Sequence, residues 1–299
     1  MKKSDDISRL PSDLFSRNYL ISKGIKKYKR DEGIERAKIL DIGGRNGFLH
    51  LFLDKKDELT LIDIREGPEE NLIIGDATNM RNFPDDSFDV ITSGDVFEHV
   101  SEDKREKFLN ESLRVSKGLV VIAAPFWSKE NEQIEKVANS YYRSLVGEDH
   151  EWLAEHIKNG LPKAERLMTF LKKNKLNYSV VGSNNIDNWL LLQLVIFYSF
   201  IFGVNSKTVE EFYKFYNENL LNIENKKESF YRKVFFITEQ KFEVSVDYDF
   251  IIRTKVDLQV NAFKLVAKAL ESKNRNIQEL IGFIEKQKSF YEQKLSASK

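Results

Sequence analysis

Between Lys38 and Phe126 short apolar runs alternate with polar stretches, and this alternation narrows the possible folds more than any other feature of the chain. Runs of four to six apolar residues separated by polar segments describe successive strand–crossover–strand units, and so a parallel sheet covered on both faces. Strands are expected at Lys38 to Ile42, Leu59 to Asp63, Leu72 to Ile74, Phe88 to Ser93 and Leu119 to Ala123. Helices are expected between them, most clearly from Glu102 to Val115, where Phe108, Leu109, Leu113 and Val115 form an apolar side and Lys117-Gly118 a stop. Past Pro125 a polar helix over about Lys129 to Leu145 leads to a loop rich in His, Glu and Trp and to a helix ending near Lys175. Tyr178 to Val181 and Val234 to Thr238 are the expected last two strands, with a helical insertion at about 185–230.

The first strand, Lys38-Ile39-Leu40-Asp41-Ile42, runs into Gly43-Gly44-Arg45-Asn46-Gly47 and then into Phe48 to Leu53, read as an apolar helix. Glycine belongs where backbone must turn sharply or approach a ligand more closely than a Cβ permits. A dinucleotide fingerprint ending at Gly47 requires glycine at position 42, where this chain has Ile42. Asp41 before the loop suits a cofactor with an ammonium group and opposes a pyrophosphate. Asp63 ends the second strand where a ribose would lie, and a carboxylate accepts hydrogen bonds from both ribose hydroxyls. Asp76, in Gly75-Asp76-Ala77-Thr78, follows the third strand, placed with its neighbouring backbone to read the polar edge of adenine. Each acid alone is also an ordinary turn or cap residue; three at successive strand ends of one sheet form a pattern.

The ordered series Ile39-Leu40-Asp41-Ile42-Gly43-Gly44, Asp63, Gly75-Asp76-Ala77, Phe83-Pro84-Asp85-Asp86-Ser87-Phe88-Asp89-Val90, Asp95-Val96-Phe97-Glu98-His99-Val100 and Leu113-Arg114-Val115 resembles the class I S-adenosylmethionine-dependent methyltransferases. In particular it resembles the group called methyltransferase type 11, over about residues 38 to 126. The chain departs from the family's alternating glycines at Arg45, with Gly44 before it as a possible compensation. The resemblance implies an α/β, Rossmann-like, seven-stranded and mostly parallel sheet. It implies that Asp41, Gly43, Gly44 and Gly47 hold the methionine end of the cofactor, Asp63 the ribose, and Asp76 with Ala77 the adenine. Gly94 and Asp95 would line the site near the sulfonium, with Glu98-His99 following. His150-Glu151-Trp152-Leu153-Ala154-Glu155-His156 with Gly160-Leu161-Pro162 is similar to a stretch of bacterial methyltransferases encoded with glycosyltransferases in surface-polysaccharide clusters, implying a sugar or glycan-linked acceptor.

Methyl transfer from a sulfonium needs alignment, water exclusion and removal of a proton from a hydroxyl acceptor. Of the chain's four histidines, His50 reads as structural, and His99, His150 and His156 are the candidate bases. The spacing of His150 and His156 among Glu148, Asp149, Glu151 and Glu155 matches no metal signature. A solvated acidic loop or an acceptor-binding rim is the expectation there, and no metal site is assigned.

The frame around this domain is less specific. Residues 1–37 read as a basic helical lead-in, with Leu14, Phe15, Tyr19, Leu20 and Ile21 as an apolar stripe; 38–240 as the cofactor-binding domain; and 241–299 as a helical extension. In that extension Phe263, Leu270, Ile277, Ile284 and Tyr291 share one heptad position. The other holds Val266, Lys273, Leu280, Gln287 and Lys294, half of them polar. Packing on the chain's own domain and homodimerisation both remain open. Trp189 to Gly203 carries no charge but falls short of the roughly 20 residues a spanning helix needs. It reads as a buried helix, with peripheral membrane contact or a partner interface as alternatives. The 47 Lys and Arg balance 47 Asp and Glu, which opposes a nucleic-acid partner, and the absence of Cys fits a reducing cytoplasm. The charged opening shows no secretory signal. The expectation is thus a methyltransferase acting on a small-molecule or glycan hydroxyl. A nicotinamide oxidoreductase, a non-catalytic scaffold and an RNA or protein methyltransferase are the alternatives.

Overall fold

The computed structural model describes residues 6–203, 206–221 and 229–244. Helix α1 (Ser12–Asp31) precedes strands β1 (Lys38–Ile42), β2 (Glu58–Asp63), β3 (Leu72–Ile74) and β4 (Phe88–Gly94), followed by α2 (Arg105–Val115) and β5 (Ser116–Pro125). Then come α3 (Lys129–Val146), α4 (Glu151–Asn159), α5 (Ala164–Lys173), β6 (Asn177–Asn185), α6 (Ile186–Ile201), α7 (Ser206–Asn219) and β7 (Phe230–Thr238). The strands form one seven-stranded sheet in the order β3-β2-β1-β4-β5-β7-β6. Its first five strands are parallel, and β7 runs antiparallel to both β5 and β6.

The central strands read as continuous apolar runs because both faces are covered. Side chains alternate across the pleat. Ile39, Val90, Leu119, Val121, Val234 and Phe236 enter one core with Phe15, Leu20, Ile21 and Ile25 of α1 and Tyr213 and Tyr216 of α7. Leu40, Ile91, Val120, Ile122, Phe235 and Ile237 enter the other with Phe108 and Leu109 of α2 and Leu167 and Leu171 of α5. A third cluster joins α3, α4, α6 and β7 through Ala138, Leu153, Trp189, Phe197 and Tyr231 over the carboxyl edge of the sheet.

Three local expectations are corrected. Phe48 to Leu53 is no α-helix but a 3₁₀ turn at Leu49–Leu51. After the glycine turn too little chain is left before β2 to repay helix nucleation, and Leu49 and Phe52 pack under α1 instead. The segments joining β2, β3 and β4 carry no helix either, as Gly67-Pro68 and Pro84-Asp85-Asp86 favour turns. The His-, Glu- and Trp-rich segment is not a loop: α4 occupies it, between Gly147 at φ 90° and Gly160 at φ 71°.

The apolar run at 189–203 lies mostly in α6, which buries Trp189, Leu192 and Phe197 but leaves Leu191 at 59% and Phe200 at 85% exposed. Among the described residues no helix is long and apolar enough to cross a membrane. The heptad positions at 263–294 lie outside the described residues.

Candidate functional site

β1 delivers the chain to the carboxyl edge at Ile42, where Gly43 turns with φ at 72° and its N–H donates to the Ile62 carbonyl at 2.7 Å. A Cβ on Gly43 would stand 2.2 Å from Val96 Cγ2. The loop's second left-handed residue is Asn46, with φ at 55°, while Arg45 is not left-handed. Asparagine tolerates that region far better than most residues. The departure at Arg45 therefore falls where no glycine is needed. Gly47 closes the loop through its N–H to the Gly44 carbonyl at 2.9 Å, and a Cβ there would meet the same oxygen at 2.7 Å.

The three expected acids take different places. Asp63 sits at the cleft, its Oδ1 accepting the Arg65 N–H at 2.9 Å. Asp76 also lines the cleft, its Oδ1 accepting the Thr78 N–H and hydroxyl at 2.8 Å each. Asp41 is buried behind the loop, where Oδ1 accepts from the Thr92 hydroxyl at 2.7 Å. Burial pushes its pKa up to about 6, against the pull of Thr92 and the positive charge of Arg17.

Past β4, Asp95 turns with φ at 55° and faces two guanidinium groups. Arg232 of β7 donates to Oδ1 at 2.7 Å and to Oδ2 at 2.6 Å, and Arg17 of α1 donates to Oδ2. Burial would raise the pKa of Asp95, but the two arginines hold it down at about 2. Gly94 lies beneath Arg17, 3.1 Å from its Cδ measured at the position of a Cβ. The carboxylate expected near the sulfonium thus ties α1 to β7.

Beside it is a cluster of acids and histidines. Glu98 is 1% exposed and its Oε2 has no hydrogen-bond partner. Burial and the nearby Asp95 charge push its pKa up to about 8. His99 Nδ1 contacts Glu155 Oε2 at 3.0 Å, and His156 Nδ1 contacts Glu135 Oε1 at 3.0 Å. The two Nε2 atoms stand 3.4 Å apart. Burial and His156 hold His99 below the usual histidine range; for His156 the hydrogen bond and charge of Glu135 outweigh burial and raise it. Tyr231 donates its hydroxyl to Glu135 at 2.7 Å. His150, at the N-terminal boundary of α4, packs its ring against Tyr142 and Phe197, with its pKa lowered by burial first and His156 second.

A cleft of about 790 Å³ runs along this edge. Of the residues expected from sequence, Gly43, Asp63, Asp76, Ala77, Asp95, His99, His150 and His156 line it, and Asp41, Gly44, Gly47 and Gly94 do not. His156 is buried with its Nδ1 against Glu135 Oε1, not on a solvated loop. Trp152 and Glu155 of α4, from the motif around His150 and His156, also line the cleft, as do Asp13 and Arg17 of α1 and Tyr231 and Arg232 of β7, which were not singled out from sequence. Ligand patterns are legible where donors share one element. These come from helices and a strand far apart in the chain.

Residues 40–122 match the model of a family described as a methyltransferase domain. No curated protein matches the sequence. The chain is similar in fold to the YcgJ protein from Bacillus subtilis, at 18% identity over 74% of this chain and 99% of that one, with a TM-score of 0.41. It is also similar to an S-adenosylmethionine-dependent methyltransferase from Archaeoglobus fulgidus, at 14% identity over 73% and 94% of the two chains and a TM-score of 0.42. The plantazolicin methyltransferase BpumL, solved with S-adenosylhomocysteine, is 16% identical over 77% of this chain and 85% of its own, with a TM-score of 0.45. The match to a methyltransferase domain spans the strands and turns of the cleft edge, and the sheet order 3-2-1-4-5-7-6 with only β7 reversed is the Rossmann-like arrangement of a class I methyltransferase.

Proposed function

We propose that the protein transfers a methyl group from S-adenosylmethionine to a hydroxyl oxygen of a small-molecule or sugar acceptor in the cytoplasm. The observation that carries this reading is the continuity of the cleft: the cofactor edge and the histidine–carboxylate cluster share one space. The residues fit the cofactor. Gly43, whose turn sits against Val96, brings bare backbone to the cleft, Asp63 presents a carboxylate for the ribose hydroxyls, and Asp76 with the Ala77 backbone suits adenine. Bound there, S-adenosylmethionine supplies a methyl group already activated on a sulfonium. Asp41, behind the loop, would counter the methionine ammonium through the field it sets up. Trp152, with Arg65 over its ring at 4.8 Å and His99 at its edge at 5.0 Å, would narrow the entrance and exclude water. The cluster of Glu98, His99 and His156 would stabilise the acceptor oxygen as it loses its proton, with His150 at the rim.

The sugar acceptor rests on the likeness of residues 150–162 to glycan-cluster methyltransferases. The exposed Leu191, Phe200 and Phe202 support a reading in which this face contacts a membrane surface or a partner, and lipid-linked glycans would then be among the acceptors to try. A non-catalytic scaffold would draw on the departure at Arg45 and the heptads of the tail, and the fit of Arg45 to the loop weakens the first of these. The deciding experiment is a screen of nucleotide sugars, lipid-linked glycans and cell extract with purified full chain and a labelled methyl donor. Label is expected on an oxygen of one acceptor class; transfer to nucleic acid or protein alone would overturn the acceptor assignment. No calorimetric affinity for S-adenosylhomocysteine would remove the function itself.

A further inference from the structure

We propose that Glu98, His99 and His156 form a site for one divalent transition-metal ion on the acceptor side of the cleft. Their potential donor atoms lie within 4.8 Å of one another. Glu98 and His99 come from the turn after β4 and His156 from α4, so no local spacing announces the set.

The hydrogen bonds around the histidines orient them for coordination. Glu155 and Glu135 are carboxylates and only accept, so each holds a proton on the Nδ1 atom facing it at 3.0 Å. As neutral imidazoles the two rings then present unprotonated Nε2 atoms to each other at 3.4 Å. Two lone pairs facing each other repel, whereas an ion between them binds both. Two nitrogens each about 2.0–2.1 Å from a tetrahedral ion stand roughly 3.3–3.4 Å apart, which is the observed separation. The bond from Tyr231 to Glu135 extends this support by one further group, and such outer partners orient metal-binding imidazoles in general.

Glu98 supplies the independent observation. Its carboxylate is buried, and Oε2 has no hydrogen-bond partner. An isolated buried carboxylate oxygen is costly, and a cation satisfies it. The nearby arginines do not: Arg17 and Arg232 donate to Asp95, and Arg105 donates to the carbonyls of Glu98, Val100 and Gly160. Two imidazoles and a carboxylate suit zinc and its first-row neighbours, and three protein ligands with the fourth side open to a cleft mark a catalytic arrangement.

Resting on the function proposed above, the ion would bind the acceptor hydroxyl and lower its pKa. The hydroxyl proton leaves to solvent through the cleft. The oxygen then forms its bond to the methyl carbon as the carbon–sulfur bond breaks, and that electron pair returns to sulfur as neutral thioether.

The test uses the tag-free full chain, freed of metal by chelator, with Zn²⁺, Mn²⁺ and Co²⁺ titrated separately by calorimetry. One ion per chain is expected for at least one of them, and a visible absorption band if Co²⁺ is bound. His99→Ala, His156→Ala and the isosteric Glu98→Gln should each weaken uptake at least about tenfold and leave affinity for S-adenosylhomocysteine within about threefold. Glu98→Gln answers the question if the alanine variants do not fold. Absence of stoichiometric uptake of all three ions, or uptake undiminished in Glu98→Gln and the histidine variants that fold, overturns the site. Metal uptake without affinity for S-adenosylhomocysteine would keep the site and remove the methyltransferase reading; the opposite result would do the reverse.

Discussion

The cofactor loop shows how single residues carry the geometry. Gly43 combines a left-handed backbone with a missing Cβ that Val96 would otherwise strike at 2.2 Å. Gly43→Ala should cost about 1–3 kcal/mol of stability and at least about tenfold in affinity for S-adenosylhomocysteine, read by urea unfolding and calorimetry. An alanine variant with native affinity would show that the loop is not the cofactor's cradle. Asp41 makes a second prediction. Its folded pKa of about 6 lies above the ordinary 3.8, so between these values the folded state binds more protons than the unfolded one. Stability contributed at this site is therefore lost as pH climbs from about 4 to about 6, by up to about 3 kcal/mol, and stays lower above that. Asp41→Asn cannot titrate, so its stability relative to the native chain should improve across that window. Parallel stability curves for the two proteins would contradict the assignment.

At the scale of elements, α1 is part of the cleft edge and not an accessory. Phe15, Leu20, Ile21 and Ile25 fill the core over the sheet, while Asp13 and Arg17 from the same helix reach the cleft. An amphipathic stripe in a sequence announces that a helix will pack, but not on which strands. Removal of residues 1–31 should expose that core and abolish a cooperative melting transition; a truncated chain that melts like the full one would be inconsistent with this packing. The join between α1, β4 and β7 is electrostatic. Arg232 is buried, with both its Asp95 bonds and a third to Asn184 Oδ1 at 2.7 Å. Arg232→Met leaves Asp95 buried with one partner and should cost about 3–5 kcal/mol in urea unfolding. A loss under about 1 kcal/mol would mean that water or Arg17 already satisfies that carboxylate.

For the molecule as a whole, the mixed sheet brings the expected cofactor residues and the acid–histidine cluster to one edge. The turns after β1, β2 and β3 line one part of the cleft, and residues of β7, α4 and the turn after β4 line the other. A ligand that binds only the folded chain stabilises all of it, so S-adenosylhomocysteine at a hundredfold its dissociation constant should add about 2.7 kcal/mol and raise the melting temperature. Nicotinamide dinucleotide should add nothing, since the loop lacks the fingerprint glycine at Ile42. The reverse pattern would return the oxidoreductase reading.

All seven strands were legible at least in part: the central ones because strands buried on both faces must be apolar, and the exposed edge strands β3 and β6 through their β-branched or aromatic runs, although β5, β6 and β7 run further than expected. So were the positions of Gly43, Asp63 and Asp76, since a strand, its following turn and the acid after it are neighbours in the chain. The short crossover at Phe48 to Leu53 was not, because its apolar residues fit a helix equally well until α1 claims the space over it. Nor was the cluster of Glu98, His99 and His156, or the pairing of Asp95 with Arg17 and Arg232. These groups meet only when β4, β7, α1 and α4 converge on one edge. The low dielectric of the buried interior, absent from an unfolded chain, then sets what charge each group carries.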